Sequence, residues 1–125
     1  MKKAKTQATS NRLVEAVVSG IQEVKGKDIV HLDLREVLNT ACEHFIICHG
    51  DSTTQVEAIA RSVDKFTREH ADEKPWHSEG DGNCGWILLD FVDVVVHIFQ
   101  RDRRAYYGLE QLWADAIRNT YENVA

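Results

Sequence analysis

The stretch Trp86-Ile87-Leu88-Leu89-Asp90-Phe91-Val92-Asp93-Val94-Val95-Val96-His97-Ile98-Phe99 reads as a β-hairpin with two dissimilar faces. Side chains alternate across a strand, so with Phe91 and Val92 as a two-residue loop, Ile87, Leu89, Val94, Val96 and Ile98 share one wholly aliphatic face. That face is core. In the same register Asp90 stands opposite Asp93, Leu88 opposite Val95 and Trp86 opposite His97. The second face then collects Trp86, Leu88, Asp90, Asp93, Val95, His97 and Phe99, a mixture of aromatic, apolar and acidic groups that a buried core would not choose. Like charges facing each other across a hairpin repel. A basic partner would relieve that repulsion.

Working outward, the chain has 125 residues and 43% hydrophobic content, which suits one globular domain able to bury a core without disulfides or a structural metal. No apolar run approaches membrane-spanning length, and Met1-Lys2-Lys3-Ala4-Lys5 leads into polar residues instead of the apolar core of a signal peptide. A cytoplasmic protein without membrane contact is expected. Cys42, Cys48 and Cys84 form no Cys-x-x-Cys pair and suit reduced thiols. The formal net charge is −5, and setting aside the three lysines among the first five residues brings it to −8. So acidic a body would be repelled by bare nucleic acid, whose affinity for proteins comes mostly from Lys and Arg. It would be steered toward a basic protein surface. Taken alone, the charge is better explained by surplus acid that merely maintains solubility.

The remaining pattern is that of a single α/β domain. Residues 1–9 read as a flexible N-terminal tail, 10–120 as the folded domain and 121–125 as a C-terminal tail. Ser10 is a candidate cap for a helix carrying Val14, Val17, Val18 and Ile21 and ending near Gly26, with Gly20 weakening it slightly. Strands follow at Asp28 to Leu34 and His44 to His49. Ser52 and Gln55 have capping-box spacing ahead of a helix whose stripe is Val56, Ile59, Ala60, Val63 and Phe66, running to about His70. Pro75 opens a short strand through Glu79, and Gly80-Asp81-Gly82-Asn83 is a flexible loop before the hairpin. Arg101 to Tyr107 and Leu109 to about Asn119 read as two short helices broken at Gly108. The order implies a mixed β-sheet of about five strands flanked by helices, with the Ser52 helix long enough to cross to a parallel strand. Strand order is left open.

Several constellations of chemical groups have plainer explanations. Cys42, His44 and Cys48 share parity, with His49, His77 and Cys84 elsewhere, but their spacing lacks the close ligand pairs of zinc sites. Buried thiols and edge histidines explain them, and no metal or cofactor is expected. Cys48 and His49 are adjacent on a strand and point to opposite faces, which is unsuited to a nucleophile and its base. Gly50-Asp51-Ser52 could seat an anion on helix amides, yet a turn and a helix cap account for it completely. Asp90 and Asp93 could share a divalent cation, as a metal-dependent nucleotidyltransferase-like enzyme would require. No lysine or arginine lies between Trp86 and Gln100 to hold a triphosphate. Recognition is the better reading of the pair. Trp86 is either covered by a helix, with Trp113 or Trp76 beside it, or exposed as the apolar anchor of a binding hot spot. Glu79 and Asp81 would enlarge an acidic rim. Tyr106, Tyr107 and Trp113 read as packing residues.

Five segments together carry a family likeness. Asp28-Ile-Val-His-Leu-Asp-Leu34, His44-Phe-Ile-Ile-Cys-His-Gly-Asp-Ser-Thr-Thr-Gln-Val56, Ser78-Glu-Gly80, Trp86 to Phe99, and Tyr107, Leu109, Glu110, Leu112 and Trp113 resemble the ribosomal silencing factor family, RsfS or Iojap. The resemblance spans residues 10–117, and Trp-x-x-x-Asp-x-x-Asp-Val-Val-Val-His is its most specific part. It implies a nucleotidyltransferase-like fold without the catalytic residues, and a non-enzymatic role. It also implies binding to the large ribosomal subunit through the basic ribosomal protein numbered fourteen, which blocks association with the small subunit and represses translation. By the same resemblance the contact surface falls on Trp86, Leu88, Asp90 and Asp93, with Glu79 beside them. A scaffold that self-associates into a homodimer through this face is a further reading. The chain departs from the family at Val92, where glycine is usual. A β-branched residue resists positive φ, so a type I, longer or bulged turn is expected there.

Overall fold

Apolar periodicity builds the two long helices of the computed structural model, which describes residues 7–37 and 42–124. Helix α1 (Gln7–Glu23) buries Leu13, Val14, Ala16, Val17, Val18 and Ile21, the expected stripe joined by Leu13 and Ala16. Each fully buried aliphatic contributes about 1.5–3 kcal/mol. The helix begins three residues before the expected start, so Ser10 lies in its first turns and is buried, instead of capping it. Helix α2 (Thr53–His70) is capped by Ser52, whose Oγ accepts from the Gln55 N–H as the spacing requires, while Gln55 Oε1 accepts from the Asp51 N–H, one residue before the Ser52 N–H that a capping box would use. It buries Val56, Ile59 and Val63.

Six strands are present among the described residues: β1 (Lys27–Asp33), β2 (His44–Gly50), β3 (His77–Asp81), β4 (Trp86–Asp90), β5 (Val94–Gln100) and β6 (Ile117–Thr120). They form one sheet in the order β3-β4-β5-β2-β1-β6, in which only β2 and β5 pair in parallel. One long connection produces this order. Helix α2 carries the chain from β2 to the far edge, where β3 begins, and β4 and β5 return by tight turns to fill the gap.

Two expectations are corrected here. Gly80 and Asp81 belong to β3, and Gly82–Cys84 is a turn of 3-10 helix, not part of a flexible loop. Gly80 pairs with Ile87 at φ 86°, where a Cβ would stand 2.0 Å from the Trp86 carbonyl oxygen; only glycine fits. The last expected helix is also shorter. After α3 (Arg101–Tyr107), α4 (Leu109–Leu112) ends early, and Ile117–Thr120 becomes β6 along the otherwise bare edge of β1. Satisfying that edge's backbone groups outweighs the local helical pattern.

Helices α1 and α2 cover one sheet face, where they pack on Ile87, Leu89, Val94, Val96 and Ile98. The predicted aliphatic face is therefore the core face. The opposite face holds a second cluster of Val30, Leu32, Ile47 and Phe99, partly covered by Leu109 and Trp113.

Candidate functional site

The hairpin places its side chains on the expected faces but in a different register. Trp86 pairs with Phe99, Leu88 with His97 and Asp90 with Val95, two residues away from the expected partners. A slip of two preserves every side chain's face, because the strand period is two. The cause is Phe91. Its ring is fully buried in the core with Ile87 and Leu89, so the inward alternation continues one position further and the turn moves to Val92 and Asp93. The Phe91 N–H donates to the Val94 carbonyl (2.8 Å) and the Asp93 N–H to the Phe91 carbonyl (3.1 Å). Val92 takes φ 78°, the left-handed conformation that its branched side chain was expected to avoid. Burying a phenylalanine contributes about 1.5–3 kcal/mol, against roughly 1–2 kcal/mol for a left-handed residue. The burial wins.

Asp90 and Asp93 consequently do not oppose each other, contrary to the expected pairing. Asp90 Oδ1 accepts from the Val92 N–H at 2.7 Å and ties the turn. The backbone carbonyl of Asp93 accepts from the N–H groups of both Glu43 and His44, each at 2.9 Å. These carboxylates still gather at one end of the sheet: burial first, then the charges of Asp90, Asp93 and Glu43, push the Cys42 thiol up to about 11.

On the strand face opposite α1 and α2, pairing aligns Glu79 with Leu88 and His97, and His77 with Asp90 and Val95. Four of the expected residues, Trp86, Leu88, Asp90 and Glu79, are thus brought together on β3 and β4, with Asp93 in the adjoining turn. Leu88, Asp90 and Trp86 are half-buried, while Glu79 is exposed on the edge strand, 3.6 Å from His77 Nε2.

Trp86 is half-buried, neither wholly covered nor wholly exposed. Its ring lies against Phe99 (centroids 5.0 Å apart) and Tyr107 of α3 (4.4 Å), and its Nε1–H donates to His97 Nδ1 at 3.2 Å. The covering residue is therefore Tyr107, not Trp113 or Trp76. Trp113 stands edge-on to Phe45, and Trp76 is 75% exposed, its backbone N–H donating to the Asp90 carbonyl of the hairpin. Tyr106 is 76% exposed, so it is not the packing residue expected. The contact between Trp86 and His97 is diagonal across the strand pair. Their occurrence on one face was visible in the alternation, but the bond itself depends on the true register.

The other constellations separate in space. Cys42 precedes β2 and packs with Val30 and Leu32, whereas Cys48 lies in the cluster beneath α1 and α2, so their shared parity does not place them together. Burial pushes the Cys48 thiol up to about 12. His49 faces the other way, its Nδ1 3.0 Å from Arg104 Nη1, and burial followed by that guanidinium lowers its pKa. Asp51 is paired with Arg101. Among the described residues no group of three or more His, Cys, Asp or Glu side chains is placed to hold a metal ion, and no helix is long and apolar enough to cross a membrane.

Residues 7–125 match the family model described as ribosomal silencing factor during starvation. A ribosomal silencing factor from Halalkalibacterium halodurans is 38% identical over 116 residues, which cover 93% of this chain and 97% of that protein. One from Bacillus subtilis is 38% identical over 107 residues, covering 83% and 86%. A crystal structure of a Chromobacterium violaceum protein shares the fold with a TM-score of 0.73 at 37% identity, covering 89% of this chain and 88% of that one.

Proposed function

This chain belongs to the ribosomal silencing factor family, and on that premise we propose that it docks on the large ribosomal subunit and sterically blocks joining of the small one. The family's role is regulatory rather than catalytic. The docking element in this reading is the β3–β4 face, and its target is the basic ribosomal protein numbered fourteen. The observation that carries it is the meeting of an exposed acidic edge at Glu79 with the half-buried apolar Leu88 and Trp86 on one strand face. Such a patch has the composition of a hot spot, in which apolar area supplies affinity and charge sets orientation and approach rate. The net charge of −5 favours a basic protein over bare phosphate as the immediate contact. No association with membrane or direct grip on nucleic acid is required.

Co-sedimentation with purified large subunits tests this. Trp86→Ala should weaken binding by roughly 30-fold or more, the effect of losing a hot-spot residue. Glu79→Lys is the better charge reversal than Asp90→Lys, because the Asp90 carboxylate also ties the turn. It should weaken binding further as salt is lowered, where the repulsion it introduces is least screened. Unchanged profiles for both variants would remove this face from the account.

A further inference from the structure

His97 carries a feature that packing alone does not explain. It is buried, 4% exposed, in a wall of rings: Phe45 stands edge-on at 4.6 Å and Phe99 is stacked at 6.3 Å. Its Nδ1 accepts the Trp86 Nε1–H, so the neutral ring carries its own proton on Nε2. Nε2 is buried and has no hydrogen-bond partner among the described residues. A buried N–H without a partner is destabilising, and an apolar side chain of similar volume would avoid it.

The bond does something that ring stacking cannot. Phe99 and Tyr107 hold the indole by contact with its faces, which a half-turn about the Cβ–Cγ bond would largely restore. The Nε1–H bond forms in only one of those two orientations. We propose that His97 is a positioning residue, whose Nδ1 lone pair selects a single orientation of the Trp86 indole on the face it shares with Leu88 and Glu79. The indole is then already ordered when a partner arrives, and the ordering cost is not taken from the binding free energy. This inference rests on the docking role of Trp86 proposed above.

The test pairs two variants of the full chain with two readouts. The Trp86 indole N–H resonance, identified by its absence in Trp86→Phe, reports the bond through its position and hydrogen-exchange rate, and co-sedimentation with large subunits reports affinity. His97→Leu removes the acceptor, and should shift the resonance, speed its exchange and weaken binding about three- to tenfold. His97→Gln restores an acceptor oxygen, and should keep both readouts near wild type. A folded His97→Leu with a displaced resonance but wild-type affinity would overturn the inference, as would an unmoved resonance. Should His97→Leu fail to fold, His97→Gln decides alone: retention of both readouts supports positioning and their loss overturns it. Wild-type binding by Trp86→Ala would instead overturn the docking role of Trp86, a distinct result.

Discussion

Val92 is where a local preference yields to packing. Its φ of 78° follows from the burial of Phe91 on one side and the Asp90 carboxylate gripping its N–H on the other. Replacing it with glycine should relieve the left-handed strain while retaining the register, because Phe91 and Asp90 both remain. The gain is reduced by glycine's greater freedom in the unfolded chain, leaving about 1 kcal/mol. Thermal unfolding should show Val92→Gly raised by about 4 °C; a lowered midpoint would mean that the valine side chain contributes more than its backbone costs. At this scale the faces of the hairpin were legible and the pairing was not. Alternation assigns Ile87 and Leu89 inward in any register that slips by two, and only the burial of Phe91 selects among those registers.

Among the elements, α1 and α2 cross at close quarters on the core face. Gly20 sits where a Cβ would come within 2.9 Å of the Val63 Cα and 3.0 Å of the Ser62 carbonyl, and Ser62 Oγ donates to the Gly20 carbonyl at 2.6 Å. Read as a sequence, Gly20 is a small defect in a helix; in the fold it permits the close approach. Gly20→Ala should therefore destabilise by about 1–3 kcal/mol despite alanine's better helix propensity. Denaturant unfolding measures this, and a stabilised variant would show that the helices can separate at no cost. The long helices were legible because their stripes and the Ser52 cap are local signals. Strand β6 was not, since four exposed residues become a strand only through the edge of β1 beside them. Strand order was equally invisible, because it depends on α2 delivering β3 to the far edge.

Across the whole molecule, the layered arrangement commits α1 and α2 to one sheet face and leaves the β3–β4 part of the other face half open. Alternation placed Trp86, Leu88 and Asp90 on that face, and the pairing of β3 adds Glu79. What alternation could not supply was the cover from Tyr107 or the bond to His97, both of which depend on distant segments meeting. The proposal of a ribosomal partner was beyond physical reading of the residues and came through family resemblance. The central claim is that the docked body keeps the subunits apart, and a subunit-joining experiment tests it most directly. Purified small and large subunits are mixed with increasing amounts of the protein, and joined ribosomes are quantified by sedimentation. Joined ribosomes should decline as the large subunit saturates, with Trp86→Ala far less effective; undiminished joining at saturating protein would contradict the account.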